Sequence, residues 1–209
     1  MADARKITRR RLKHYPEPKL ALRFRNPLQL LIAVILSAQC TDARVNEVTK
    51  TLFKKYKKAS DYANADLATF EQAIRPAGFY HNKAKTVIKC CQQLVADYHG
   101  KVPANAEELM RLAGVGRKTA NMVAGNVFGA QAIAVDTHVA RVSQRLSLSR
   151  NKSADKVEQD LMAQVPHDKW TAFSNAMILH GREVCTARKP RCCECALYVE
   201  CAWPEKPPC

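Results

Sequence analysis

Four cysteines near the end of the chain set the tightest limit on its fold. Cys185, Cys192, Cys195 and Cys201 are spaced Cys-x6-Cys-x2-Cys-x5-Cys. The stretch that holds them shows no helical or strand periodicity, so no core of its own can fix it. An all-thiol loop of this kind needs a metal centre, and zinc and an iron–sulfur cluster are the candidates. Zinc sites more often present two facing Cys-x2-Cys pairs, and this chain has one. Wide, uneven spacing suits four thiolates at the corners of a larger cubane, which favours [4Fe–4S] over zinc or over free thiols. Nine cysteines without a visible secretory leader argue against a disulfide framework and for a reducing compartment. Cys40, Cys90, Cys91 and Cys209 read as core or free thiols, and Cys193 as an extra thiol inside the loop.

The rest of the chain reads as helical. Only seven glycines occur in 209 residues, alternating β-branched runs are scarce, and 47% of residues are hydrophobic. Apolar periodicity predicts helices over 28–38, 42–58, 66–74, 82–97, 105–112, 117–127, 137–146, 154–164 and 169–180. Within 117–127, Ala120, Val123, Ala124 and Val127 share one face. The longest apolar run, Leu30–Leu36, is too short to span a bilayer.

Charge narrows the partner. Lys and Arg total 34 against 19 Asp and Glu, a formal net of +15. Basic residues gather before residue 26, at Lys50, Lys54, Lys55, Lys57 and Lys58, and at Arg188, Lys189 and Arg191. Such an excess favours a polyanion, because each neutralised phosphate releases counterions. A solvated basic face or an anionic membrane would suit the same charge.

The sharpest local signal is Leu112-Ala113-Gly114-Val115-Gly116-Arg117-Lys118-Thr119. One helix ends, Gly114 and Gly116 permit a tight hairpin, and another helix begins. Hairpin amides and a new helix N-terminus can hold a phosphate without reading bases. A nucleotide-binding P-loop fails here, because no glycine stands at the right distance upstream. Lys118 falls in the first turn, where the helix dipole and Arg117 both oppose a cation; the neutral amine is the nucleophilic form. Further on, Asp136 follows an apolar stretch and opens a helix. It reads as an N-cap, and a carboxylate there also suits sugar chemistry in which positive charge develops on the ring.

Together these pieces resemble the endonuclease III family of DNA glycosylase/AP lyases, within the helix-hairpin-helix glycosylase superfamily. The resemblance covers roughly residues 15–205. It rests on Ser37-Ala-Gln39-Cys-Thr41-Asp42, Gly78-Phe79-Tyr80-His81-Asn82-Lys83-Ala84, Leu112–Asn121, Ala134–Val142 and the Cys185–Cys201 pattern. It implies an all-α, two-lobed fold: a six-helix barrel over 20–130, and a discontinuous iron–sulfur cluster domain from 1–19 and 131–209. It implies Lys118 as nucleophile, Asp136 as its helper, and a [4Fe–4S] cluster on Cys185, Cys192, Cys195 and Cys201. Gln39 matches the position that fills the hole left by a flipped base, and Phe79 the wedge position, where relatives often carry Leu. Asp42, Tyr80, His81, Gly114, Gly116, Arg117, His138, Arg141, Arg188, Lys189 and Arg191 are the further expected DNA contacts. Ala113 stands where the family hairpin usually has Pro, which would have stiffened the turn.

The resemblance implies excision of oxidised pyrimidines from duplex DNA through a lysine Schiff base, followed by β-elimination. Damaged or abasic double-stranded DNA is the expected partner, with no membrane and no nucleotide cofactor. A monomer in the cytoplasm, beside the nucleoid, is the expected state. The adenine-removing branch lacks the lysine and usually carries a further domain. A non-catalytic iron–sulfur DNA-binding or redox-sensing protein, a zinc-bound DNA-binding module and a monofunctional glycosylase are the other readings.

Overall fold

Eight of the ten residues of Pro27–Leu36 are buried. A helix that is apolar all round belongs inside a core, and this one lies at the centre of one half of the molecule. The computed structural model describes residues 3–209. In chain order the helices are α1 (Ala4–His14), α2 (Pro27–Leu36), α3 (Asp42–Lys55), α4 (Ala59–Ala63), α5 (Leu67–Ile74), α6 (Tyr80–Tyr98), α7 (Ala106–Leu109), α8 (Arg117–Val127), α9 (Thr137–Arg145), α10 (Ala154–Gln164) and α11 (Trp170–Glu183). No strand occurs among the described residues. None of the described helices is long and apolar enough to cross a membrane.

The chain divides into two compact units. One is Leu20–Phe128, in which α2 packs against α3, α6 and α8, and α6 also carries α4 and α5. The other joins the segment up to Lys19 to Gly129–Cys209, in which α11 packs against α1 and α9. Helix starts are fixed by side chains that accept from first-turn amides: Asn26 before α2, Thr41 before α3, Asp66 before α5, Asn105 before α7 and Asp136 before α9.

Two helix boundaries need correction, and one basic cluster is partly structural. The basic start of the chain, read for its charge alone as favouring a polyanion, is helix α1. Ala4, Ile7, Thr8 and Arg11 are buried along one of its faces. Lys6 and Arg10 pair with Glu200, and Arg11 donates to Nδ1 of buried His180 at 2.8 Å. The charge masked the short apolar face. The single helix predicted over 42–58 stops at Lys55, because Tyr56 turns extended and buries its ring against Tyr62 and Phe70. Asp61 then accepts from the Lys57 and Lys58 amides, and α4 starts afresh. The helix predicted over 105–112 is only the four residues of α7.

Because Ile7 is fully buried on α1, Ile7→Ala is expected to cost about 2–5 kcal/mol of stability. Urea denaturation measures it. An unchanged midpoint would mean that α1 is a detachable arm.

Candidate functional site

The Leu20–Phe128 unit presents three turns of interest. At the hairpin, Leu112 and Val115 are buried and Gly114 and Gly116 exposed. Gly114 has φ +75°, and a Cβ there would run into Cγ2 of Thr86 on α6. Glycine is therefore required twice over, for the left-handed backbone and for the close approach. Gln93 of α6 fastens the turn: its Oε1 accepts from the Ala113 amide at 2.7 Å, and its Nε2 donates to the Arg111 carbonyl at 3.3 Å. This bond uses the amide that a proline at 113 would lack. Gly116 is the N-cap of α8 and has no side chain that could accept from its first-turn amides. Arg117 is exposed and Lys118 half-buried in that turn.

The other two turns precede α3 and α6. Gln39 is exposed and left-handed, at φ 52°. Phe79 is also left-handed, at φ 48°, and is 64% exposed. Such backbone costs about 1–2 kcal/mol per residue outside glycine, and an exposed phenyl ring gains little from burial to offset it. Phe79 is thus not a core aromatic. Tyr80 and His81 form the first turn of α6, two residues earlier than predicted, with His81 Nδ1 2.8 Å from Glu71 of α5. Asp42 opens α3.

Sequence reasoning missed Lys83. Its side chain is buried, and Nζ donates to the Ala77 carbonyl at 2.8 Å, just before the Phe79 turn. Burial pushes its ammonium below the usual lysine range, while nearby Cys40 acts the other way. Lys83 thus ties α6 back to the segment before the Phe79 turn, and its own amide donates to the Phe79 carbonyl. A lysine between small and polar neighbours gives no periodic signal of burial.

In the other unit, Asp136 is the N-cap of α9. One oxygen, Oδ1, accepts from both the His138 and Val139 amides at 2.8 Å. The cap and the sugar-facing role are compatible, since the second oxygen has no part in these bonds. Arg141 is turned inward: Nε and Nη2 donate to the Cys185 carbonyl, and Nη2 also reaches Gly181 O at 2.8 Å and His138 Nδ1 at 3.1 Å. It straps α9 to the end of α11, where Gly181 admits the His138 Cβ at close range. Burial lowers the pKa of His138. Arg191 is bound within the chain, by Glu183 O and Glu194, yet is exposed like Arg188 and Lys189.

Cys185, Cys192, Cys195 and Cys201 line one small cavity together with Arg145, His180 and Tyr198. Among the described residues no three His, Cys, Asp or Glu side chains converge as a single-ion site. The donors around the cavity are positive or N–H groups: Arg145 Nη1 lies 3.3 Å from Cys185 Sγ and the Leu197 amide 3.4 Å from Cys195 Sγ. Arg145 also stacks on Trp203, its guanidinium carbon 3.8 Å from the ring centre. Four thiols lining one cavity, under N–H donors that stabilise thiolate charge, have the donor chemistry of a thiolate-bound metal centre. Cys209, expected to be a free thiol, is instead joined to Cys193 by a disulfide that ties down the tail. Cys90 and Cys91 are buried and free, and burial raises both thiol pKa values, that of Cys90 to about 12.

Residues 32–167 match the family described as HhH-GPD superfamily base excision DNA repair protein. The chain is 49% identical, over 90% of its length and 86% of the relative's, to Endonuclease III of Bacillus subtilis (strain 168). It is similar to a solved non-covalent Endonuclease III–DNA complex, with 47% identity, a TM-score of 0.90 and coverage of 94% and 92%. A trapped Endonuclease III–DNA covalent intermediate matches with 47% identity, a TM-score of 0.92 and coverage of 97% of both chains.

Gly114→Ala is expected to destabilise the protein by about 2–4 kcal/mol, from left-handed strain plus overpacking against Thr86. Adding Thr86→Ser removes the opposed methyl and should restore about 1 kcal/mol or more of that loss. Thermal melts of the single and double variants measure it; no recovery would show that the methyl is not the obstacle.

Proposed function

The chain belongs to the endonuclease III family, within the HhH-GPD superfamily of base excision DNA repair proteins, and we propose that it removes oxidised pyrimidines from duplex DNA and nicks the strand 3′ to the abasic site. The observation that carries this reading is Lys118. It is a half-buried amine in the first turn of the helix launched by the glycine hairpin, in a chain so similar throughout to one caught covalently joined to DNA.

The hairpin and the open start of α8 hold a phosphate near the lesion, which places Lys118 by position rather than by base sequence. The damaged nucleotide is extruded at a cost of roughly a few kcal/mol, least for a poorly stacked base. Gln39 offers a donor and an acceptor to the orphaned partner base, and Phe79 fills the stack. Lys118 Nζ then attacks C1′. The glycosidic bond breaks, and its electron pair and a proton leave with the base. Asp136 offsets the positive charge that develops on the sugar and passes protons. The ring opens to a Schiff base between C1′ and Nζ, which acidifies the C2′ hydrogen. Loss of that proton expels the 3′ phosphate, and water then frees the lysine. Arg188 and Lys189 face phosphate, while Arg141 acts as an internal strap.

Cys185, Cys192, Cys195 and Cys201 would hold a [4Fe–4S] cluster. When bound, it supplies order to a tail with little regular structure and takes no part in bond breaking. The enzyme acts as a monomer in the cytoplasm, beside the nucleoid.

Borohydride trapping on duplex DNA with one thymine glycol or one abasic site tests the chemistry. Wild type should give a covalent adduct on both, and Lys118→Gln on neither, with DNA binding kept. An adduct that survives in Lys118→Gln would falsify the assignment of the nucleophile. Asp136→Asn should slow turnover at least about a hundredfold and leave the melting temperature nearly unchanged, because Asn caps as well as Asp. Visible absorption of the pure protein, lost in Cys192→Ser, checks the cluster; colourless folded protein would point to zinc.

A further inference from the structure

The Leu20–Phe128 unit has an open groove of about 480 Å³ at the far end of α2 and α3 from the Gln39 turn. Arg23, Arg25, Lys50 and Lys54 line it, and no acidic residue does. All four are exposed, and the ion pairs of the described residues do not include them. Four like charges around one groove are costly unless water or an anion screens them.

The groove is held in shape by its own hydrogen bonds. The Asn46 side chain accepts from the Arg23 amide at 2.8 Å and donates to Ala21 O at 2.9 Å. Gln29 Oε1 accepts from the Arg25 amide at 2.8 Å. The segment bearing both arginines is thus fastened across α2 and α3. Lys50 and Lys54, one helical turn apart, point the same way on α3, about 5–6 Å from each other at Cβ. Two half-buried phenyl rings, Phe24 and Phe53, also line the groove. Phosphate-binding cations interleaved with aromatic faces are the chemistry of an unpaired nucleic-acid strand; a duplex hides its base faces.

Position separates this groove from the lesion-handling turns. Gln29 lies eight residues before Ser37 on α2, and Lys50 eight after Asp42 on α3. At 1.5 Å per residue that is about 12 Å along each helix, so no single nucleotide reaches both. We propose that this groove is a second nucleic-acid site, which takes an unpaired strand with its phosphates on Arg23, Arg25, Lys50 and Lys54 and a base against Phe24 or Phe53.

The test is fluorescence anisotropy with a labelled oligothymidylate of about eight nucleotides, on the full-length protein. A fourfold variant carries Arg23→Gln, Arg25→Gln, Lys50→Gln and Lys54→Gln. A control variant loses the same charge at exposed positions elsewhere, through Lys57→Gln, Lys85→Gln, Lys89→Gln and Lys101→Gln. The groove variant should bind at least about tenfold more weakly than the control, with a salt slope shallower by about 0.7 for each lost phosphate contact. Phe24→Leu with Phe53→Leu should weaken strand binding about fivefold or more and leave short undamaged duplex unaffected. Nicking of abasic duplex by the groove variant should stay at the wild-type rate.

Equal losses in groove and control variants would overturn the proposal, since bulk charge alone would then explain binding. It would equally fall if ATP bound the groove and the oligonucleotide did not, or if only duplex binding responded. A fall in nicking in step with strand binding would make the groove part of the lesion site. The Lys118 assignment is read separately, by trapping, so either conclusion can fail alone.

Discussion

Desolvation of one helix governs the layout of the Leu20–Phe128 unit. Because α2 is apolar on every side, α3, α6 and α8 must pack around it, and its ends are the only parts that reach water. Those ends carry the Gln39 turn and the basic groove. Gln39 follows its C-terminus, and the groove residues Arg25 and Gln29 flank its start. The turns that strain the backbone, at Gln39 and Phe79, need an unyielding platform, because a softer core would let them relax. Lys83 extends the platform, exchanging its hydration for the Ala77 carbonyl.

The other unit is organised by guanidinium groups. Arg11, Arg141 and Arg145 bring α1 and α9 to α11 and to the cysteine loop, through His180, the Cys185 carbonyl and the Thr186 carbonyl. Planar forks with several donors suit loop carbonyls that no helix satisfies. Part of the high positive charge of this chain is therefore structural. Other basic residues, among them Arg188, Lys189 and those of the groove, are exposed on the surface.

Much of the molecule could be read from the sequence. The hairpin, α8 and α9 follow from two glycines, a clean apolar face and an N-cap aspartate, all local signals. The cysteine spacing suggested a shared centre, and the four thiols do line one cavity. What escaped was set by partners distant in sequence. The apolar face of α1 is only visible once α11 is placed beneath it. Lys83, Gln93 and Arg145 are ordinary helical residues until a turn or loop folds against them. Arg141 carried the same signal whether it faced phosphate or a carbonyl, and only the Cys185 and Gly181 oxygens decide between them. The Cys193–Cys209 bond joins residues with no pattern between them.

The Gln93–Ala113 hydrogen bond also constrains how this chain can drift. A proline at 113 would remove the donor and strand a glutamine carbonyl against the turn, while losing Gln93 first would leave an alanine hairpin without its clamp. The two positions are thus epistatic. Each residue is acceptable chiefly in the company of the other, and a lineage can pass between a ring-stiffened and an amide-clamped hairpin only through a weakened intermediate.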